Sequence, residues 1–348
     1  MNKPTNPHLI AIAHQIAEDL NSLSLRGASS GVFDNKRVDA DETMMIALAL
    51  EDMRSKTFEA EYPELKARQV LDVDHDIDPG AETFSYVEED WAGDVKIIAD
   101  NGYADDFPSV EVKGQKKTHF IVSIGNHYNY TLQDIRRAAF SGRPLDAKKA
   151  IAQRRRFEMG QDRIAALGSG DERIPFGLLN RTVGTTAGTI RGTAVTSASF
   201  ADGTADAIAM VSDLNKAVAA MVTDSEEIYE PNTLVLPTAV YLRLHHTTTT
   251  DGTAESAAAR FLKTNGMVSK IMPWNLLKGV DGAGANQSRG LLMSAQPDVA
   301  SLVIPQEFEV FAPQQNNLAW KVLAHGRTAG TVIYRPLGLR YLTGIPSA

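Results

Sequence analysis

The sequence predicts an α+β fold built on more than one sheet, and three observations carry this. Strand-like and helix-like segments are intermixed without a regular βαβα beat. At 348 residues the chain is long enough to bury two cores. Its texture also breaks between residues 71 and 168, where an acidic, strand-like ribbon precedes a long basic helix. Leu71 to Glu111 holds 13 Asp and Glu against one basic residue, Lys96, whereas Thr131 to Leu167 holds nine Lys and Arg against four acids. Opposite charge on two elongated parts suits a subunit laid against its neighbours better than it suits an enzyme.

The first segment is helical. Leu9, Ile10, Ile12, Ala13, Ile16, Ala17 and Leu20 recur at helical spacing, which predicts an amphipathic helix over 8–22. The loose Gly27 to Gly31 run follows it, so this helix reads as a docking element for a partner surface. Residues 27–31 and 34–41 read as linker. A second helix spans 42–58, and Pro63 then punctuates the chain. Residues 69–89 alternate in places, with Phe84 and Tyr86 two apart, and predict strand. Asp78-Pro79-Gly80 is a turn. Trp91 to Asp106 is polar, carries Gly93 and Gly102, and predicts the tip of a long excursion. Val110 and Val112 start a strand that Gly114 interrupts, and 119–124 returns as another. The result is a two-stranded arm with little to bury within itself. A lone hairpin is marginally stable in water, so it calls for a partner surface.

Thr131 is an N-cap candidate, with Asp134 at the third helical position. That helix ends near Ser141-Gly142. A longer one starts at Pro144 or Asp146, runs to Leu167 and is closed by Gly168-Ser169-Gly170, spanning roughly 35 Å. Its apolar positions include Ala147, Ala150, Ile151, Phe157, Ile164 and Leu167. Arg154, Arg155 and Arg156 point in three directions, since successive helix residues are about 100° apart. Two readings stand: a solvated face with local salt bridges to Glu158 and Asp162, or ion pairing with a neighbouring subunit or enclosed phosphate. Further on come a helix over 205–222 capped by Asp202 or Thr204, a buried strand at 233–236, and helices from Pro237 to His245 and over 255–262. Strands follow at 291–293, 301–304, 307–311 and 318–323, with a long last strand at 331–343.

Composition narrows the function. The net charge of −8 argues against a general binder of nucleic acid. The absence of cysteine excludes disulfides, thiolate chemistry and cysteine-based zinc sites. The start of the chain lacks a signal peptide's apolar core, and no segment has the roughly 20 apolar residues of a membrane span, which predicts a soluble chain made in the cytoplasm. Asp72, Asp74, Asp76 and Asp78 have calcium-loop spacing. The Gly and Glu that an EF-hand requires are Ile77 and Thr83 in one register, Pro79 and Ser85 in the other, so both registers fail. In a strand, the four acids would instead line one exposed face. His245-His246 has no ligand partner nearby. No phosphate-binding glycine loop, dinucleotide fingerprint or nucleophile elbow occurs, and Gly282-Ala283-Gly284 lacks the closing glycine. No catalytic, cofactor-binding or metal residue is proposed.

A series of local motifs in order carries a resemblance. They are Tyr62-Pro63-Glu64-Leu65-Lys66-Ala67-Arg68, Lys96-Ile97-Ile98-Ala99 and Tyr103-Ala104-Asp105-Asp106-Phe107-Pro108. Tyr130-Thr131-Leu132-Gln133-Asp134-Ile135-Arg136 follows, then Gly177-Leu178-Leu179-Asn180. On these the chain resembles tailed-phage major capsid proteins of the Hong Kong 97 type, in the branch related to encapsulins. The match covers residues 60–180 well and the C-terminal half in outline.

The resemblance implies an N-terminal arm (1–70) and an E-loop with flanking strands (71–130). It implies a peripheral domain (131–204) with a spine helix at 144–167, an axial domain (205–320), and a strand within 321–348 returning to the peripheral domain. It implies a structural, non-enzymatic subunit that self-assembles through pentamers and hexamers into an icosahedral head shell around double-stranded DNA, in a virion assembled in the host cytoplasm. Residues 1–60 are too few for a fused scaffolding segment, so scaffolding would be a separate protein or was already lost, and portal and any decoration proteins would be separate partners. Lys113, Lys116 and Lys117 lie where some relatives crosslink, but no partner asparagine is evident. The alternative is an encapsulin shell around a cargo enzyme. Candidate inter-subunit contacts are Asp90, Trp91, Asp94, Asp105 and Asp106 on the acidic ribbon and Arg154, Arg155 and Arg156 on the helix.

Overall fold

The computed structural model describes residues 64–97, 107–141, 145–186, 188–201, 206–248, 255–280 and 287–346. All of them belong to one of the two units into which the chain divides, Glu64–Ala348. The expected N-terminal helices, most of the N-terminal arm, Asp105, Asp106 and the 282–284 loop lie outside the described residues. In chain order the elements are helix α1 (Ala67–Val70), strands β1 (Asp72–Asp74), β2 (Thr83–Ala92), β3 (Glu111–Phe120) and β4 (Val122–Thr131), and helices α2 (Leu132–Ser141) and α3 (Leu145–Leu167). Then come β5 (Arg191–Ala194), α4 (Ser197–Phe200), α5 (Ala207–Asp224), β6 (Thr233–Leu236), α6 (Thr238–His246), α7 (Ala257–Thr264) and β7 (Lys270–Pro273). The chain closes with β8 (Gln287–Met293), β9 (Ala300–Val303), β10 (Gln306–Val310), β11 (Gln314–Asn316), β12 (Ala319–Thr328), β13 (Gly330–Ile333) and β14 (Leu339–Pro346).

The core sits on both sides of a five-stranded sheet in the order β5-β14-β8-β6-β7. Strand β6 shows why. All four of its residues are buried, and alternation sends Leu234 and Leu236 to one face and Val235 to the other. On the first face Met210, Leu214 and Met221 of α5 pack with Leu244 of α6 and Phe261 of α7. On the second face Leu178, Leu179, Trp274 and Tyr341 pack with Ala165 and Ala166 at the end of α3. Burial pushes the Tyr341 hydroxyl up to about 12. A three-stranded sheet, β1-β9-β13, and a sheet in which β12 holds β10 and β11 on one side and β4 on the other complete the body.

Several expectations change. The predicted last strand at 331–343 is two strands in different sheets: β13 pairs with β9, and β14 pairs with β8 and β5. Pro336 is the reason. It begins a 3-10 turn, Pro336–Gly338, which Gly338 closes against Val299, where a β-carbon would stand 2.6 Å from Cγ1. Strand β3 runs unbroken through Gly114. Strand β1 is three residues long, so the four aspartates do not form one face. Instead Asp74 accepts the Asp76 N–H (2.9 Å), and Asp78 accepts the Gly80 N–H (2.6 Å), as turn-closing side chains. Helix α5 is capped by Asp206, whose carboxylate accepts the Ile208 N–H at 3.0 Å; the proposed caps Asp202 and Thr204 lie outside the described residues. Strands β5 and β7, four residues each, were not expected.

The expected cap of α2 is present as a reciprocal pair. Asp134 N–H donates to Thr131 Oγ1 (3.2 Å) and Thr131 N–H donates to Asp134 Oδ2 (3.1 Å), and these bonds hold the Asp134 carboxyl below the usual range. At the far end of α3, Gly168 adopts φ +80°, and the chain folds back so that the Leu178 and Leu179 N–H groups donate to Ala165 and Ala166 O, each at 2.9 Å. Gly177 permits this approach: a β-carbon there would stand 2.4 Å from the Ala166 carbonyl carbon.

Candidate subunit-contact surfaces

The arm is a two-stranded hairpin. β2 and β3 pair without a break from Thr83↔Phe120 to Ala92↔Glu111, and alternation gives it two chemically distinct faces. One carries Glu88 and Asp90 beside Lys113 and Lys117, with Lys117 ion-paired to Glu88. The other carries Val87, Trp91 and Val112, all exposed, with Trp91 79% accessible and paired directly with Val112, and the charged Glu89 and Lys116 share this face. Beyond the paired region Val95, Ile97, Phe107 and Val110 are exposed as well. The arm therefore differs from the polar, acidic ribbon expected. Glu88, Glu89 and Asp90 of β2 run beside Lys113, Lys116 and Lys117 of β3, so much of the charge is balanced within the hairpin. Contiguous exposed apolar side chains on a lone ribbon mark an interaction surface.

The root of the arm is seated on the body. The His119 ring stacks on Phe84 (5.4 Å between centroids) and Tyr86 (5.7 Å), and Tyr86 meets the edge of Tyr334 at 5.0 Å. Beneath them Ile121, Val303, Ala329 and Val332 form a small core. Burial, then the neighbouring charges of Arg181 and Lys117, hold the His119 pKa below its ordinary value.

The long helix α3 buries Gln153, Phe157, Gln161 and Ala165, four residues apart on one stripe. The sequence pointed to Phe157, which is buried, but also to Ala150 and Ile151, which are exposed, Ile151 at 67%. The reason is the seat. Gln153 donates its amide to Asn126 O and Val322 O (both 3.3 Å), Asn126 donates back to Gln153 O (2.9 Å), and Phe157 packs edge-on against Phe308 at 5.0 Å. Asp162 accepts the Ala67 N–H at 2.8 Å, which ties α1 to α3, and burial raises its pKa. Arg68 reaches Gln161 (2.9 Å) and Glu307 (2.8 Å).

Of the eight candidate contact residues, Asp90, Trp91 and Asp94 fall together at the distal part of the arm, with Asp90 and Trp91 on opposite faces. Asp94 accepts the Val95 N–H at 2.7 Å. Asp105 and Asp106 lie outside the described residues. Arg154, Arg155 and Arg156 sit on α3, where Arg154 bridges Glu158 one turn away at 2.9 Å. Arg156 is exposed and Arg155 half-buried. Sequence reasoning missed Val87 and Val112 as contact residues, because Val112 joins Trp91 only through the β2–β3 register. Among the described residues no group of His, Asp or Glu could hold a metal ion, and no helix is long and apolar enough to cross a membrane.

Known structures place this architecture. The capsid subunit of Myoviridae phage XM1 superposes with a TM-score of 0.72 at 15% identity, over 86% of this chain and 98% of that one. The capsid of a native GTA particle gives 0.58 at 13%, over 86% and 96%. A structure from Mycobacterium phage Bobi gives 0.57 at 12%, over 88% and 98%. At these identities the likeness establishes the fold, a mixed helix-and-sheet capsid fold of the Hong Kong 97 type. No curated protein matches the chain in sequence. A sequence profile described as major capsid protein matches residues 93–345. These matches do not favour the encapsulin alternative, and they give the chain a structural rather than an enzymatic role in a virion shell. The profile spans well over half of the sequence, and the chain belongs to the major capsid protein family.

Proposed function

We propose that this shell subunit assembles through pentamers and hexamers into an icosahedral phage head around double-stranded DNA, each arm seated on the adjacent subunit. The observation that carries this reading is the apolar stripe of Val87, Trp91 and Val112 on a hairpin whose distal half is exposed on both faces. Burying a Trp or Val side chain contributes on the order of 1.5–3 kcal/mol, and symmetry repeats the contact around the shell. Asp90, Asp94, Asp105 and Asp106 on the arm, and Arg154 to Arg156 on α3, are the polar contacts of this reading. The arm corresponds to an E-loop and α3 to the spine helix of a peripheral domain. The 205–320 segment corresponds to an axial domain. DNA is enclosed without sequence-specific binding, and separate scaffolding and portal proteins direct assembly in the host cytoplasm. The purified chain, examined by sedimentation and negative-stain microscopy, forms capsomers or closed shells; a compact monomer at all concentrations would refute the reading.

A further inference from the structure

At the root of the arm a cleft of about 340 Å³ opens between β3 and the loop after α3. Lys117 and His119 line one side, Arg181 and Thr189 the other, with Phe176 and Ile190 among the apolar walls. Two lining groups, Lys117 and Arg181, are cationic, and no carboxylate lines the cleft. Lys117 has Glu88 as its counter-ion. Arg181 differs. Its Nε and Nη2 donate to the backbone carbonyls of Gly177 (3.3 Å) and Thr331 (3.1 Å), and among the described residues no carboxylate pairs with it. Burial lowers the Arg181 pKa, and the hydroxyls of Tyr341 and Tyr86 oppose that shift. A cation drawn out of water without a counter-charge is costly, and an oxyanion at the same place removes most of that cost. These two bonds use two of the five guanidinium N–H groups, and the remaining three can donate to an oxyanion.

We propose that this cleft is an oxyanion site, filled in the assembled shell by an Asp or Glu carboxylate of a second copy of this chain. The occupant follows from charge and position. The chain carries 43 Asp and Glu against 35 Lys and Arg, and its arm exposes Glu89, Asp90 and Asp94, so a neighbouring copy has carboxylates to offer a basic cleft. The cleft also lies at the root of the element through which neighbours are held in the shell reading, on which this inference rests.

Two measurements test it. In a cryo-EM map of the shell, a neighbouring copy's carboxylate lies within about 4 Å of the Arg181 guanidinium, the reach of an ion pair. In the unassembled full-length chain, inorganic phosphate binds and stabilises the fold, and Lys117→Gln weakens that binding by about fivefold, the loss of one exposed ion pair. Lys117 is partly exposed and holds no backbone group, so this variant keeps the fold where Arg181→Gln could lose it. Both results together support the inference. A shell whose cleft holds water, a free phosphate, or a carboxylate of its own subunit overturns the second-copy occupant. Phosphate affinity equal in wild type and Lys117→Gln overturns the oxyanion site itself. A chain that never forms shells removes the shell reading and this occupant with it, while the phosphate titration still judges the cleft's chemistry.

Discussion

The ring of Phe157 on α3 fills the space above Gly326 on β12: a β-carbon on Gly326 would stand 2.6 Å from Phe157 Cζ, with the Gln306 and Glu307 carbonyl oxygens at 3.1 and 3.2 Å. The helix is thereby seated against the sheet at a point that tolerates no side chain. Gly326→Ala must displace either a buried ring or backbone, and overpacking of this kind costs about 1–3 kcal/mol. Urea denaturation of the unassembled chain measures it. A variant as stable as wild type would show that Phe157 can move aside freely.

The arm separates folding from assembly. Trp91→Ser changes folding stability by no more than about 0.5 kcal/mol, as for an exposed position, yet it removes the largest apolar side chain of the stripe and abolishes or sharply reduces shell formation. Deleting 91–106 has the same pair of effects. Melting curves read the first and electron microscopy the second. Loss of folding in either variant would assign Trp91 to the subunit's own core.

For the arginine triplet the structure lowers the expectation at one position. Arg154 is engaged with Glu158 in an exposed i, i+4 pair, worth about 0.3–0.5 kcal/mol. Arg154→Ala therefore leaves both folding and assembly near wild type. Reversing all three arginines to glutamate impairs assembly more than folding, and does so most at low salt. Normal assembly of the triple variant across salt concentrations would mean that the arginines only solvate the helix.

Stability of the unassembled chain falls on mild acidification. The His119 pKa is held below the 6.5 of an unfolded chain, so the unfolded state takes up the proton first, and stability declines as pH drops through about 6.5 toward the folded value. The charges around the ring are Lys117 on its own strand, Arg181 from the body, and Glu88 on β2 through its pair with Lys117. Asp134, Asp213 and Asp224, held below the usual carboxylate range, lose their contributions only as pH falls below about 4. Asp162, raised by burial, acts with the opposite sign. His119→Gln flattens the melting temperature between pH 7.5 and 5.5; an unchanged slope would acquit His119.

Local chemistry was the legible part of this fold. Thr131 and Asp134 announce the start of α2 because a capping box is complete within four residues. Gly168 announces the end of α3 for the same reason. The motif Gly177-Leu178-Leu179-Asn180 was visible, but its purpose was not. It folds back on Ala165 and Ala166, Asn180 accepts the Gly177 N–H (2.8 Å) and donates to Leu167 O (2.7 Å), and the Tyr341 hydroxyl donates to Leu178 O. Nothing near residue 177 reveals partners that arrive from β14. The burial of Gln153 was not legible, since its amide donates to carbonyls that β4 and β12 supply. At the arm, aspartates dominated the composition while the apolar residues shared a face, a pattern that only the β2–β3 register exposes.

A single residue, Ile121, separates β3 from β4. Buried, with its N–H bonded to Glu82 O at 2.8 Å, it joins the hairpin's second strand directly to the body's own sheet. β4 then pairs with β12 along its whole length, from Val122↔Thr328 to Thr131↔Ala319. Tension drawn through β3 by a pulling neighbour enters β4 end-on, so the rungs of that ladder share it in shear instead of opening one after another. Internal pressure in a filled head would thus meet the strands in their stiffest direction, with Ile121 as the anchor bolt.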